Sequence, residues 1–202
     1  MKRKDGILSN EISELCVFTL NGYEQKVLIE GKRKDSPIII TLHGGPGTPI
    51  PFSVGCRGLF PAFTDIFIMV YWDQLGSGIN NYVIDDTFSI DLFVQMTEEL
   101  VAQIKKKFPN NKVMIFSTSW GSILSTKLLE RNPHAVDAVI ACGQIVKNVF
   151  IGDEVKNTLC KSGIPKKKLD RINNVTVENF TGKDLQLISN SLRKYTNAYQ
   201  NK

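Results

Sequence analysis

The chain has 202 residues, of which 42% are hydrophobic and 22% are charged. This composition is ordinary for a globular protein with a sizeable core. The net charge of +5 comes from 25 basic and 20 acidic residues, a mild excess that is not the footprint of a nucleic-acid-binding protein. The N-terminus lacks the apolar core of a secretory signal, and no apolar run is long enough to span a membrane, so we expect a cytoplasmic protein without a membrane partner.

Short apolar runs alternate with amphipathic segments along most of the chain. The predicted strands are residues 14–20, 25–30, 37–42, 67–72, 113–116 and 135–142. The predicted helices are residues 57–63, 89–108, 123–131, 149–162, 166–173 and 181–199. Asn21 and Gly22 separate the first two strands and favour a hairpin turn, because both residue types tolerate positive φ. Ser89 is suited to cap the helix that runs to Phe108.

The order of these elements predicts an α/β fold. Strands that alternate with helices are typical of a doubly wound, mostly parallel sheet, which here begins with an antiparallel hairpin at one edge. From residue 147 onward the sequence becomes polar and lysine-rich, and no further apolar strand follows. We therefore expect residues 1–146 to form the sheet core and residues 147–202 to form a helical, cap-like segment.

Ser119 lies where the predicted strand at 113–116 gives way to the predicted helix at 123–131. A serine on such a turn is held in a strained backbone conformation that exposes its hydroxyl, and its neighbours two residues away must be small. Those neighbours are Ser117 and Gly121. The pattern is typical of a catalytic nucleophile, and an ordinary strand-to-helix turn is the alternative interpretation.

A glycine-rich loop, His43 to Gly47, follows the predicted strand at 37–42. Its three glycines and one proline leave backbone amides uncovered, so the loop is able to offer N–H groups to an oxyanion, although a plain glycine-proline turn has the same composition. An amide from such a loop and the amide of the residue after the serine, here Trp120, together form the oxyanion hole of one class of hydrolases. A second glycine-rich loop, residues 73–78, ends another predicted strand, where open α/β sheets bind ligands.

Three motifs together resemble the α/β-hydrolase fold and, within it, the proline iminopeptidases, also called prolyl aminopeptidases. They are H-G-G-P-G at residues 43–47, Y-W-D-Q-L-G-S-G at residues 71–78 and S-T-S-W-G-S at residues 117–122. The resemblance covers roughly residues 14–144. This chain departs from the family at Leu75, where the family has arginine, and at Ser117, where it has glycine.

The resemblance implies a role for each matching residue. Ser119 would be the nucleophile, and the backbone amides of Gly45 and Trp120 would form the oxyanion hole. The residues that would shape the site around them are His43, Gly44, Asp73, Gln74 and Gly121. No metal or organic cofactor is implied, because the four cysteines show no metal-ligand spacing and the phosphate-binding patterns are absent.

The sequence offers no suitable base to activate Ser119. A serine hydroxyl needs a neighbouring base, normally a histidine that is oriented by a carboxylate, and in this fold both follow the serine. The only later histidine, His134, lies beyond the predicted helix at 123–131, about 20 Å away at a rise of about 1.5 Å per residue. His43 is in a motif whose family role is to hold the loop. We therefore expect a chain that ends before the triad Asp and His and that is inactive or weak by itself.

The best interpretation is a serine hydrolase of the prolyl aminopeptidase type, which releases an N-terminal proline from a small peptide through an acyl-enzyme on Ser119. An esterase-like hydrolase acting on another acyl substrate is the nearest alternative. A non-catalytic remnant that serves as an interaction module is the alternative from another class. The strand at 136–142 would lack a neighbour in such a sheet, so its apolar edge is prone to self-association.

Overall fold

A computed structural model of the protein describes residues 3–85, 88–146, 152–176 and 182–196. The chain forms two compact units, Met1–Ile145 and Val146–Lys202. The elements of the first unit are α1 (Arg3–Ser9), β1 (Ile12–Leu20), β2 (Tyr23–Gly31), β3 (Ile38–Leu42), a 3₁₀ helix (Val54–Cys56), α2 (Pro61–Thr64), β4 (Ile68–Trp72), α3 (Ile90–Lys107), β5 (Val113–Thr118), α4 (Trp120–Arg131) and β6 (Ala138–Cys142). The helices of the second unit are α5 (Asp153–Lys161), α6 (Lys166–Asn173) and α7 (Gly182–Tyr195).

The six strands form one sheet in the order β1-β2-β4-β3-β5-β6. β1, β2 and β4 pair antiparallel, whereas β4, β3, β5 and β6 run parallel. The chain runs from β3 to β4, which pairs with one edge of β3. It then crosses over to β5, which pairs with the other edge of β3. The predicted doubly wound, mostly parallel sheet is therefore confirmed, and the loops after β3 and β5 meet at its topological switch point, where such sheets bind ligands.

The hairpin between β1 and β2 forms where the sequence predicted it. Asn21 has a φ of 48° and Gly22 has a φ of 80°, the backbone geometry of the two-residue turns whose twist matches that of paired strands. The turn sets Leu20 opposite Tyr23 and so fixes the register of the whole pair.

The centre of the sheet is buried on both faces. Every residue of β3 and β4 is buried, as expected for apolar parallel strands that are covered by other elements on both sides. α3 packs an apolar stripe against the core that contains Val27, Ile40 and Val113. Ser89 caps α3 by accepting the N–H of Leu92 at 3.2 Å, as predicted.

Two local predictions were wrong or incomplete. The helix predicted at 57–63 is replaced by the 3₁₀ helix and α2, because Gly58 has a φ of 70° that breaks a helix and Pro61 starts a new one. The strand predicted at 135–142 begins only at Ala138, since the N–H of Ala135 closes a turn on the carbonyl of Asn132. α1 was not predicted.

In its described residues, the second unit has three helices around a small apolar core of its own. The buried side chains of this core are Leu159, Ile164, Ile172, Val175, Ile188 and Leu192. The helices predicted at 149–162, 166–173 and 181–199 are present, although residues 149–151, 181 and 197–199 lie outside the described residues. Across the described part of the chain, no helix has both the length and the apolar character needed to cross a membrane.

Candidate active site

Ser119 joins the central strand β5 to α4 in a strained conformation. Its φ of 47° and ψ of −114° are exceptional for a residue with a side chain. The N–H of Ser119 donates to the carbonyl of Cys142, the last residue of β6, at 3.0 Å, and this hydrogen bond fixes the strained turn. The residue is exposed, and none of the described side chains hydrogen-bonds its hydroxyl. The turn thus presents a free hydroxyl at the carboxyl edge of the sheet, the geometry of a nucleophile elbow.

Two glycines let the backbone approach Ser119 closely. A Cβ placed on Gly121 would lie 2.2 Å from the carbonyl oxygen of Leu42, so the start of α4 contacts the end of β3 directly. A Cβ on Gly44 would lie 3.3 Å from the Cβ of Ser119. The loop after β3 therefore passes beside the serine, as the motif order predicts.

The loop after β3 is tightly turned. Gly45 has a φ of 124°, and a Cβ on it would lie 2.6 Å from the backbone nitrogen of Gly47, so only glycine fits this position. The carbonyl of Gly44 accepts the N–H of Thr48 at 3.2 Å and closes the turn. This geometry fixes the backbone around the amide of Gly45, and its role in an oxyanion hole stays a prediction.

His43 is locked by hydrogen bonds at both ring nitrogens. Nε2 accepts the N–H of Gln74 at 2.9 Å and lies 3.2 Å from the hydroxyl of Ser77, while Nδ1 lies 2.8 Å from the carbonyl of Gly44. A backbone N–H only donates and a carbonyl only accepts, so the proton is on Nδ1 and the lone pair on Nε2 is in use. Burial of the ring lowers the pKa of His43. This neutral histidine therefore holds the loops together and has no free nitrogen for Ser119.

Gln74 connects the three loops at this edge of the sheet. Its Nε2 donates to the carbonyl of His43 at 3.2 Å. Its Oε1 accepts the indole N–H of Trp120 at 3.0 Å. The amide is buried, so its two contacts set the loop after β3 against the first residue of α4.

Asp73 connects the 3₁₀ helix to the loop after β4. Its two carboxylate oxygens accept the backbone N–H groups of Val54 at 2.9 Å and Ile79 at 3.0 Å. A Cβ on Gly78 would lie 2.0 Å from this carboxylate, which explains a glycine there. Asp73 is buried and its oxygens are used by backbone donors, so we assign it a structural part in the site.

The departures from the family motifs are accommodated inside the core. The buried hydroxyl of Ser117 lies 3.0 Å from that of Ser125 on α4, so the extra oxygen has a partner. Leu75 is 3% exposed and belongs to the main apolar core. Neither change alters the residues that contact Ser119.

His134, the second histidine of the chain, is remote from Ser119. It follows the twelve residues of α4, which at about 1.5 Å per residue span about 18 Å. Its backbone N–H donates to the side chain of Asn132 at 3.1 Å. It is exposed at the opposite end of the helix, so the structure does not bring it to the serine.

Ser122 was missed by the sequence reasoning. Its hydroxyl donates to the carbonyl of Ser119 at 2.6 Å and accepts the N–H of Ile145 at 2.9 Å. It supports the turn from inside, and its place at the end of the S-T-S-W-G-S motif, residues 117–122, was the signal that could have identified it. Among the described residues, no three His, Cys, Asp or Glu side chains are grouped so that they could hold a metal ion.

A strained serine between a central parallel strand and a helix, beside a glycine-rich loop, is the arrangement of the α/β hydrolases. The sequence model of the alpha/beta hydrolase fold matches residues 37–201, and the chain belongs to this family. The resemblance to proline iminopeptidases that the three motifs indicated is also confirmed, since curated relatives with that name match the chain.

The curated relatives are distant and longer than this chain. The probable aminopeptidase YbaC of Bacillus subtilis is 28% identical over 132 residues, which are 64% of this chain and 41% of that protein. The proline iminopeptidase of Neisseria gonorrhoeae is 30% identical over 116 residues, 56% of this chain and 34% of that one. The chain thus spans less than half the length of either relative.

One solved structure shows the same fold over most of the chain. It is a proline iminopeptidase-related protein from Thermus thermophilus, with a TM-score of 0.57 at 20% identity. The match covers 86% of this chain and 59% of that one. At this identity the likeness concerns the fold alone.

Proposed function

We propose that the chain is a serine hydrolase of the prolyl aminopeptidase type, which releases an N-terminal proline from peptides through an acyl-enzyme on Ser119. One observation supports this above all: an exposed serine with a φ of 47°, placed at the switch point beside a loop of three glycines. A strained, solvent-facing serine at this position is what nucleophilic attack requires.

The chemistry follows from the groups around Ser119. Its oxygen attacks the carbonyl carbon of the substrate while its proton passes to a base. The amides of Gly45 and Trp120 donate to the negative oxygen that forms, which is the interaction expected to lower the barrier most. The amine then leaves with a proton, and water hydrolyses the acyl-enzyme. The fixed loop geometry of Gly45 and the Gln74 contact to Trp120 support this assignment.

Specificity for proline is the finer part of the proposal. It is supported by the names of the curated relatives at 28% and 30% identity. The crevice next to Thr118, between Ile50, Phe52 and Phe116, has no room for a water molecule, so it offers no preformed subsite. An esterase-like hydrolase uses the same nucleophile and oxyanion amides and is separated from the peptidase by substrate tests.

The base limits the activity that we expect from this chain alone. His43 has both nitrogens engaged, and His134 lies beyond the far end of α4. Loss of a triad base costs several orders of magnitude in rate. We therefore propose weak turnover at best, and the locked His43 is the specific observation that favours the second candidate, a non-catalytic interaction module.

Covalent labelling by a fluorophosphonate tests the nucleophile. We expect slow labelling of the chain that is absent in Ser119→Ala and unchanged in Ser162→Ala, a variant in the second unit. Added imidazole should accelerate the labelling, because it supplies the missing base in solution. Equal labelling of the chain and Ser119→Ala, with or without imidazole, would remove the nucleophile from the proposal.

Hydrolysis of proline-naphthylamide and of p-nitrophenyl acetate distinguishes the prolyl aminopeptidase from the esterase-like hydrolase. The rate to be compared is that of the chain minus that of Ser119→Ala. This subtraction also removes the hydrolysis that free imidazole catalyses by itself. A preference for the proline amide supports the peptidase, and activity confined to the ester supports the esterase. Labelling without turnover of either substrate would favour the interaction module.

A cytoplasmic location completes the proposal. It is supported by the four cysteines, all of which are free thiols, since a reducing compartment keeps thiols in that state. Fractionation of cells that express the tagged chain checks this point, and recovery outside the cytoplasmic fraction would contradict it.

A further inference from the structure

Both backbone groups of Ser119 are held by one short stretch of the chain, residues 142–145. The N–H of Ser119 donates to the carbonyl of Cys142 at 3.0 Å. Its carbonyl accepts the hydroxyl of Ser122 at 2.6 Å, and that hydroxyl accepts the N–H of Ile145 at 2.9 Å. The end of β6 and the turn after it therefore support the strained residue from both sides, directly at its N–H and through Ser122 at its carbonyl.

Ser122 does more than an ordinary helical serine. Serine hydroxyls within helices commonly donate to a carbonyl of the preceding turn. Ser125 is such a case, because its hydroxyl donates to the carbonyl of Ser122 at 3.2 Å. Both hydroxyls are buried. Of these two hydroxyls, only that of Ser122 also accepts a backbone N–H from the described residues, and that N–H comes from the turn after β6.

The Ser122 hydroxyl joins an N–H to a carbonyl in one chain of hydrogen bonds. Each bond in such a chain polarises the next, so the N–H of Ile145 strengthens the bond from Ser122 to the carbonyl of Ser119. Ser122 has no exposed surface, and a buried hydroxyl that loses a partner is not compensated by water. The hold on Ser119 therefore depends on where Ile145 lies.

Residues 143–145 lie along one face of α4. The side-chain amide of Gln144 donates to the hydroxyl of Thr126 at 3.4 Å. Thr126 is four residues after Ser122, so both contacts are on the same face of the helix. Gly143 begins the segment with a φ of 62°, and a Cβ on it would meet no atom within 4 Å. The path of the segment thus depends on its backbone conformation and these two contacts. Ile145 is the last residue of the first unit.

We propose that residues 142–145 control the reactivity of Ser119 and that Ser122 is the positioning residue through which they act. This inference rests on the proposed function, because it assigns a regulation to the same nucleophile. With its N–H and its carbonyl both held, Ser119 keeps the positive φ that exposes its hydroxyl. A shift of this segment, by which the chain leaves the first unit, releases the turn and lowers the reactivity of the serine.

Fluorophosphonate labelling in the presence of imidazole is the first test, under conditions where every variant is folded. We expect Ser122→Ala to lower the maximal labelling rate about tenfold, the effect of about one buried hydrogen bond. The reagent concentration that gives half of this rate should not change. Ser125→Ala, which removes a buried hydroxyl from the same helix, should label as fast as the unchanged chain. Equal rates in the two variants, or a change in the half-saturating concentration alone, would overturn the proposal.

The segment can also be tested without altering a residue that contacts Ser119. Gly143→Ala places a Cβ on a backbone with positive φ, which favours another conformation. Gly163 in the second unit has a φ of 73° and equally open surroundings, so Gly163→Ala is matched for strain. We expect slower labelling in Gly143→Ala, with little further loss on adding Ser122→Ala, because both changes break one chain of contacts. Labelling of Gly143→Ala as fast as that of Gly163→Ala would contradict the proposal.

Amide hydrogen exchange, measured by NMR, tests the coupling without relying on reactivity. The N–H of Ser119 should exchange faster in Ser122→Ala and Gly143→Ala than in the controls Ser125→Ala and Gly163→Ala. The amides of β3 serve as the reference for global unfolding. An unchanged chain that is not labelled would remove the proposed function, and exchange alone would then decide the coupling. Exchange at Ser119 that is the same in all four variants would overturn it.

Discussion

Trp120 and Gln74 are joined by a hydrogen bond of 3.0 Å from the indole N–H to the side-chain oxygen. The same glutamine reaches the carbonyl of His43 at 3.2 Å. One buried side chain therefore sets the start of α4 against the glycine-rich loop after β3. These are the two backbone segments whose amides we propose as the oxyanion hole.

Gln74→Leu should loosen this arrangement. It leaves the indole N–H and the His43 carbonyl without partners, and an unsatisfied buried group costs about 1–3 kcal/mol. We expect the free energy of unfolding in urea to fall by about 2 kcal/mol or more, together with fluorophosphonate labelling. Gln103→Leu, which loses an exposed hydrogen bond, is the control and should change stability by about 0.5 kcal/mol. Equal losses in the two variants would refute the bridging role of Gln74.

Gly121→Ala should be strongly destabilising. The added Cβ would lie 2.2 Å from the carbonyl oxygen of Leu42, and backbone on both sides must move to relieve the overlap. We expect a loss of about 3 kcal/mol in the free energy of unfolding. Gly6→Ala is a matched change in a helix, α1, where the nearest atom is 3.9 Å away; it should be neutral or stabilising. Thermal or urea unfolding compares the two, and a mild effect at Gly121 would show that α4 does not contact β3 so closely.

His43 should make stability depend on pH. Burial lowers its pKa in the folded protein below the value of 6.5 for an exposed histidine, so below about pH 6.5 the unfolded chain binds the proton more readily. Stability from this group is complete above that pH and is lost as pH falls toward the folded-state pKa, by up to about 1.4 kcal/mol per pH unit. Urea unfolding at several pH values should show a flatter profile for His43→Gln than for His134→Gln. Identical profiles would mean that His43 is not held neutral.

Tyr71→Phe should stabilise the protein. The Tyr71 hydroxyl is buried without a hydrogen-bond partner among the described residues, and burial, with the nearby Glu30 carboxylate, raises the pKa of the phenol. Removing an unsatisfied polar atom without changing the ring should increase the free energy of unfolding by about 1 kcal/mol. Tyr82→Phe is the control, since its hydroxyl donates to the Glu24 carbonyl at 2.8 Å and its removal should not stabilise. A loss of stability in Tyr71→Phe would indicate a partner for that hydroxyl.

The sequence was most informative where short-range chemistry decides the structure. Asn21 and Gly22 predict a hairpin, and Ser89 predicts a helix start, because the residues that decide each feature are adjacent in the chain. Ser119 could be placed on its turn for the same reason. The helix predicted at 57–63 failed because Gly58 has a positive φ at a point where α1, an element far away in the sequence, approaches it closely.

The connections within the site could not be predicted. Gln74 meets His43 and Trp120 only after three strands have been brought side by side. The family resemblance implied that His43 holds its loop, but the motif does not identify the group that locks the ring, an N–H from the loop after β4. Residue types alone therefore identify the members of the site, and the packing of the sheet decides which of them are free to react.

The positive φ of Ser119 exposes its hydroxyl but strains the backbone, so reactivity and fold stability oppose each other at this residue. Ser119→Ala and Ser119→Gly both remove the hydroxyl, but only glycine tolerates this backbone without strain, which is worth about 1 kcal/mol. Ser119→Gly should therefore unfold at a higher urea concentration than either Ser119→Ala or the unchanged chain, and equal midpoints would show that the turn is relaxed. A protein that keeps serine here gives up a small part of its fold stability to hold one oxygen atom out toward solvent.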